Sequence, residues 1–225
     1  MIKTLDKQGY VKICGIQNVR HAIVAAQAGS DALGFVLAPS RRRVDASLVV
    51  EVREHLTRIG KSPRLVAVVV NEHEDALREI VELAQPDVVQ LSGDEEPGVL
   101  STIDATVCRT IRVPHGSSFD RVQGMIDPWL DHDNPVEAVL FESYSSGHFG
   151  GTGKVADWEL AARLAETYPV ILAGGLTPEN IMSGIDTVHP YGVDVSSGVE
   201  TDGIKDPDRI RLFVDRADHA FQAMT

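Results

Sequence analysis

The 225-residue sequence has few cysteines, an excess of acidic over basic residues and no long apolar run. Its two cysteines, Cys14 and Cys108, stand far apart and no signal-like segment opens the chain, which favours a reducing cytoplasm. No apolar run approaches the ~20 residues of a membrane span. The 21 basic and 33 acidic residues give a net charge of -12. This charge disfavours nucleic acid or an anionic membrane as a partner, because both need a large basic surface, but it leaves a small anionic substrate open.

Two common site motifs are also missing. The stretch 150-GGTGK-154 resembles a nucleotide-phosphate loop, but a Walker loop needs glycine where His148 stands and serine or threonine where Val155 stands. The eight histidines are scattered and lack the His-Glu-x-x-His spacing of a zinc site, so we expect no metal. We interpret the loop as a flexible segment that folds over a ligand, with Lys154 exposed and Asp157 capping the next helix.

Short β-branched runs alternate with longer segments of helical period. The runs are 11–14, 32–37, 65–70, 88–91, 106–113, 138–141, 170–172 and 192–195, and the helical segments are 19–28, 47–57, 73–84, 119–130, 158–167, 178–185 and 207–221. Short, continuously apolar runs are typical of strands buried on both faces. The pattern predicts a single-domain α/β protein with a (β/α)8 TIM barrel fold over residues 1–225, of which residues 1–10 form a short N-terminal extension. A doubly wound open sheet, which has fewer strands, is the alternative.

In a barrel of this kind the loops that follow the strands open on one face, which holds the active site. The runs predicted as strands seven and eight are followed by 173-AGGL-176 and 194-DVSSG-198, and Thr177 with Pro178 predicts a helix start. Small residues and helix N-termini at these two loops favour a bound phosphate. The residues concerned, here called the phosphate cradle, are Gly174, Gly175, Ser197 and Gly198. The alternative is that these residues only make tight turns.

Two further side chains stand at predicted strand ends. Cys14 ends the first strand, where it is either an inert buried side chain or a reactive thiolate. Cations in 41-RRR-43 are expected to lower the pKa of such a thiolate, and one of these arginines suits a substrate carboxylate, the other two being solvated. Glu142 follows the sixth strand, either as a catalytic acid or simply as a strand-end residue. Cys108, inside a strand run, is interpreted as structural.

These strand ends resemble those of one family, phosphoribosylanthranilate isomerase. The matching segments occur in the family's order and spacing over nearly the whole chain: 12-KICGI-16, 29-GSDALGFVLAPSRRRV-44, 90-QLSGDE-95, 150-GGTGKVADW-158, 174-GGLTPENI-181 and 193-VDVSSGVE-200.

The resemblance implies a (β/α)8 barrel of tryptophan biosynthesis that needs no cofactor and is a monomer or a homodimer. Its reaction is the Amadori rearrangement of N-(5'-phosphoribosyl)anthranilate to 1-(o-carboxyphenylamino)-1-deoxyribulose 5-phosphate. The family's general base corresponds to Cys14 and its general acid to Glu142. Arg43 matches the arginine that holds the anthranilate, and Asp194 matches an aspartate that contacts ribose hydroxyls or orients the site. The phosphate cradle also matches.

The chain departs from the family at two positions. The family acid is an aspartate, and the extra methylene of Glu142 moves the carboxyl group by about 1.5 Å, where a misplacement of ~1 Å costs up to about 100-fold in rate. Ser92 stands where the family usually has histidine. A sugar-phosphate isomerase of altered substrate and a non-catalytic phosphosugar-binding relative are therefore alternatives, although the presence of Cys14 and Arg43 favours an active isomerase.

Overall fold

The computed structural model describes residues 9–114, 116–144 and 157–224, and within them eight parallel strands close into a barrel in chain order. The strands are β1 (Tyr10–Cys14), β2 (Ala32–Val36), β3 (Arg64–Val69), β4 (Val88–Leu91), β5 (Thr106–Pro114), β6 (Ala138–Tyr144), β7 (Val170–Ala173) and β8 (Gly192–Val195). The predicted barrel is confirmed. Residues 1–8 of the expected N-terminal extension lie outside the described residues, and Tyr10 is already the first residue of β1.

The strand sequences are apolar on both faces because each face is buried. Alternate residues of β1 show this: Ile13 packs outward in the layer between strands and helices, whereas Cys14 packs inside the barrel with residues such as Val66 and Leu140. Side chains at positions 10, 12 and 14 therefore share the barrel interior. This alternation decides which residues at the carboxyl end of each strand face the mouth.

Seven α-helices surround the barrel within the described ranges, and none is long and apolar enough to cross a membrane. They are α1 (Val19–Ala28), α2 (Ala46–Arg58), α3 (Glu74–Ala84), α4 (Phe119–Leu130), α5 (Trp158–Ala165), α6 (Ile181–Val188) and α7 (Pro207–Ala223). A 3-10 helix, Pro97–Thr102, replaces an α-helix after β4. After β8 come a 3-10 turn, Ser197–Val199, and a small hairpin of β9 (Glu200–Thr201) and β10 (Ile204–Lys205).

The predicted helix start at Pro178 is wrong, because residues 177–180 form a turn and α6 begins at Ile181. The Asn180 side chain accepts from the Thr177 backbone N at 2.8 Å and donates to the Gly175 carbonyl at 2.9 Å. It therefore ties the loop after β7 together instead of capping the helix. Asp157 caps α5 as predicted, accepting from the Leu160 backbone N at 3.2 Å.

Candidate active site

Cys14 is the last residue of β1, and its side chain faces the barrel interior with 8% exposure. Burial is the largest influence on the thiol and raises its pKa above the ordinary value, although the ammonium groups of Lys12 and Lys205 act in the opposite direction. The arginine run is expected to lower this pKa, and one of its members contributes in that direction. Arg42 does act on the thiol, but its guanidinium is paired with Glu200.

A buried ion pair lies beside this thiol. The Lys12 ammonium donates to Asp194 Oδ1 at 2.7 Å, and the two residues are 2% and 8% exposed. Burial disfavours the charge of Lys12, but Asp194 and Cys14 outweigh burial and raise its pKa, so Lys12 remains a cation. Sequence reasoning identified Asp194 and missed Lys12. The available signal was a lysine inside an otherwise apolar strand, two residues before Cys14 and therefore on the same face.

Glu142 lies within β6, which continues to Tyr144. It is two residues after Leu140 and four after Ala138, both of which face the barrel interior, so its side chain faces inward too. In the sheet register it stands between Arg112 of β5 and Ala173 of β7. Its side chain is half-buried. Burial is the largest influence and raises the pKa of the carboxyl group, and Arg112 acts against this increase. Glu142 is therefore a half-buried, inward-facing carboxyl group and not merely a residue that ends a strand.

The phosphate cradle is formed by two loops in close contact. Gly174 and Gly175 have φ angles of +86° and +69°, a conformation that suits glycine. A Cβ on Gly198 would collide with the Leu176 carbonyl oxygen, so only glycine allows the loop after β8 to approach the loop after β7. Arg209 of α7 donates two hydrogen bonds to the Gly198 carbonyl, at 3.0 and 3.1 Å. The structure thus brings the cradle residues together at the barrel mouth.

The circular strand order sets the positions of these groups around the mouth. Going round the barrel, β6 is followed by β7, β8 and β1. The cradle loops on β7 and β8 therefore stand between the strand of Glu142 and the strand of Cys14. The charges of both Lys12 and Asp194 act on Glu142 as well as on Cys14. An anion held in the cradle would carry the rest of a small ligand between a thiol and a carboxyl group, which is an arrangement for acid–base chemistry.

Residues 11–216 match the family model described as N-(5'phosphoribosyl)anthranilate (PRA) isomerase. The chain belongs to this family. A relative from Roseiflexus castenholzii with the name N-(5'-phosphoribosyl)anthranilate isomerase is 42% identical over 91% of this chain and 95% of its own length. The crystal structure of the Thermotoga maritima phosphoribosyl anthranilate isomerase has 32% identity and a TM-score of 0.80, covering 93% of this chain and 98% of that chain. A structure of the isomerase with reduced 1-(o-carboxyphenylamino)-1-deoxyribulose 5-phosphate has 30% identity and a TM-score of 0.76 over the same shares.

Within this phosphoribosylanthranilate isomerase fold, the three arginines after β2 have different environments. Arg41 and Arg42 both pair with Glu200, at 3.0 and 2.6 Å; the Arg41 side chain is 61% exposed, whereas that of Arg42 is only 18% exposed. Lys205 completes this cluster by donating to Glu200 at 2.8 Å. Arg43 is exposed and makes no ion pair with any residue that the structure describes.

The family position usually occupied by histidine is filled by a small buried polar cluster. Ser92 Oγ lies 2.9 Å from Thr110 Oγ1, and the Gln90 amide donates to both hydroxyls, at 3.0 and 3.2 Å. The Arg112 guanidinium donates to the Ser92 carbonyl oxygen. Sequence reasoning missed Arg112. Its signal was an arginine inside a strand run, an even number of residues after the inward-facing Cys108.

The prediction for the loop at residues 150–154 and the prediction for Cys108 have different outcomes. The loop 150-GGTGK-154, with Lys154, lies outside the described residues. Cys108 is buried inside the barrel as expected, and burial raises the pKa of its thiol to about 12. Across the described ranges, no three His, Cys, Asp or Glu side chains are grouped to hold a metal ion.

Proposed function

We propose that this protein isomerises N-(5'-phosphoribosyl)anthranilate to 1-(o-carboxyphenylamino)-1-deoxyribulose 5-phosphate, with Cys14 as general base and Glu142 as general acid. One observation carries the proposal: the two groups face the same barrel mouth from β1 and β6, with the cradle loops of β7 and β8 between them. Family membership supplies the substrate class. The two free thiols, Cys14 and Cys108, support a cytoplasmic site of action.

The reaction starts with proton transfer from Glu142 to the furanose ring oxygen. The C1'–O bond then breaks and the nitrogen lone pair forms a Schiff base, leaving Glu142 as a carboxylate. Burial supports this role, because it raises the pKa of Glu142 and keeps the carboxyl group protonated at a higher pH than an exposed glutamate. The glutamate side chain reaches further into the mouth than an aspartate at the same strand position.

Cys14 then removes the C2' proton as a thiolate, and the electron pair moves into an enolamine that tautomerises to the ketone. The productive enzyme therefore carries a thiolate and a protonated carboxyl group together. Since the ordinary pKa of a thiol lies well above that of a carboxyl group, this form is a minor tautomer of the singly protonated pair. We expect a bell-shaped pH dependence of kcat/KM, with its ascending limb set by Glu142 and its descending limb set by Cys14.

The remaining groups bind the substrate. The phosphate cradle receives the phosphate through backbone N–H groups, which glycines with positive φ bring close to an anion. Arg43 holds the anthranilate carboxylate, which fits a guanidinium that is exposed and has no ion-pair partner among the described residues. Asp194, which is buried near the carboxyl end of β8, orients the site or contacts the ribose hydroxyls. No nucleic acid or membrane is involved in this function.

The test is a fluorescence assay of phosphoribosylanthranilate consumption by the wild type and four variants. We expect Cys14→Ala and Glu142→Gln to abolish turnover, because each removes one proton-transfer group. Glu142→Asp should keep or increase turnover, because it shortens the acid to the family length. Cys108→Ala is the matched control, since it removes the other buried thiol without touching the mouth.

Two results would contradict the proposal. Full activity of Glu142→Gln would exclude Glu142 as the acid. A wild type without turnover that still binds the reduced product analogue would support the phosphosugar-binding alternative instead.

A further inference from the structure

The ion pair with Asp194 does not by itself explain why a lysine is buried at position 12. A lysine–aspartate pair inside a barrel costs desolvation energy, and apolar side chains of similar size often replace such pairs without loss of stability. Here the pair lies directly beside a thiol. A Cβ on Gly34 of the adjacent strand β2 would meet Cys14 Sγ at 2.8 Å and Lys12 Nζ at 3.1 Å, so the two atoms flank the same point of that strand.

The absence of a side chain at Gly34 allows this contact. Any residue with a Cβ at this position would push Cys14 and Lys12 away from β2. The Lys12 ammonium thus lies 2.7 Å from a carboxylate oxygen and close to the Cys14 thiol, on which its charge acts. Three side chains on two neighbouring strands, β1 and β8, therefore form a buried chain from carboxylate to ammonium to thiol.

We propose that Lys12 is a positioning residue that stabilises the thiolate of Cys14, and that Asp194 limits this stabilisation by sharing the Lys12 charge. The proposal deepens the general-base role of Cys14 in the proposed function. Lys12 does not transfer the substrate proton. It lowers the free energy of the minor tautomer in which Cys14 is ionised, and it holds Sγ at the carboxyl end of β1.

Other charges also face Cys14, and their contributions can be separated. Lys205 of β10 acts as a second cation, but its ammonium donates to Glu200 at 2.8 Å. Arg42 after β2 is likewise paired with Glu200. Among the described residues, Asp194 of β8 is the anion that acts on the thiol. Lys12 lowers the pKa of the thiol and Asp194 raises it. Removing Lys12 should therefore raise this pKa, and removing Asp194 should lower it.

The test measures the pH dependence of Cys14 alkylation by iodoacetamide in the protein without substrate, with mass spectrometry to separate Cys14 from Cys108. We expect Lys12→Met to slow alkylation of Cys14 roughly tenfold at a fixed pH below its pKa, as one unit of pKa increase would do. Asp194→Asn should accelerate it, because the whole charge of Lys12 then acts on the thiolate. Lys61→Met, at an exposed lysine, is the control and should change nothing.

Lys12→Met leaves Asp194 buried without a partner, so its folding is checked by circular dichroism. The double variant Lys12→Met/Asp194→Asn removes both charges, and we expect its thiol pKa to exceed that of Asp194→Asn alone. Equal alkylation profiles for the double variant and Asp194→Asn would overturn the proposal. So would a change of the thiol pKa in the same direction in Lys12→Met and Asp194→Asn. The titration needs no turnover, so it succeeds or fails separately from the isomerase assay.

Discussion

At the scale of single residues, Arg112 connects the two positions at which this chain departs from its family. Its guanidinium donates to the carbonyl oxygen of Ser92, which replaces the usual histidine. Its charge also acts on Glu142, its register partner on β6, which replaces the usual aspartate. An arginine at this point of β5 therefore lowers the proton affinity of the Glu142 carboxyl group.

We predict that Arg112→Ala raises the pKa of Glu142, because it removes the larger of the two positive charges that oppose the effect of burial. The ascending limb of the kcat/KM profile should move to higher pH by up to about one unit at low ionic strength, and by less at high salt, since the guanidinium is exposed and screened. The profile is measured for the wild type, Arg112→Ala and the surface control Arg58→Ala. An ascending limb that stays in place at low salt would contradict this role for Arg112.

At the scale of elements, the close approach of two loops makes the phosphate cradle. The loop after β7 is held together by Asn180, and the loop after β8 is held to α7 by Arg209. Gly198 is the point where the two loops meet. The geometry of the cradle therefore depends on a missing side chain more than on any particular polar group.

We predict that Gly198→Ala raises KM at least about tenfold, because the new methyl group forces the Leu176 carbonyl away and widens the cradle. Inhibition by inorganic phosphate should weaken in parallel. Steady-state kinetics with phosphate as a competitor measures both effects. Gly98→Ala, where an added Cβ meets nothing within 4 Å, is the matched control. Unchanged KM and phosphate inhibition in Gly198→Ala would rule out this account of the cradle.

At the scale of the whole molecule, the candidate site lies at one end of the barrel and a structural ion pair lies at the other. The mouth carries Cys14, Glu142 and the phosphate cradle. At the amino-terminal end of the strands, Arg64 of β3 forms a bidentate ion pair with Glu137, the residue before β6. Its Nη2 donates to Glu137 Oε2 at 2.8 Å. This pair spans the barrel at the end remote from the proposed chemistry, as expected for a fold whose stability and active-site faces are separate.

We predict that Arg64→Met lowers the free energy of unfolding by about 1–3 kcal/mol, because it leaves the Glu137 carboxylate partly buried without its partner. Because the change lies far from the mouth, kcat/KM should stay within about twofold of the wild type. Urea unfolding and steady-state kinetics provide the two measurements. Arg64→Met/Glu137→Gln should recover part of the stability. A large loss of kcat/KM without loss of stability would contradict the separation of the two ends.

Most of the barrel was predictable because its elements are encoded locally. The strand runs and helical segments agree with the structure to within about two residues at most of their ends, since short apolar runs and helical periodicity arise from neighbouring residues. The α6 start was missed for a specific reason. Thr177 and Pro178 are good helix-start residues, but Asn180 bonds back to Gly175 and keeps the segment in the loop.

The sequence by itself determined the strand alternation and, through its motifs, the candidate residues Cys14, Glu142 and the phosphate cradle. Only the tertiary structure decided which charges surround them. Lys12 and Asp194 are 182 residues apart and meet because β8 pairs with β1 to close the barrel. Arg42 and Glu200 meet across 158 residues for the same reason. Local patterns specify which face a side chain occupies, but the charges that act on its pKa come from other strands, and only the tertiary structure brings those together.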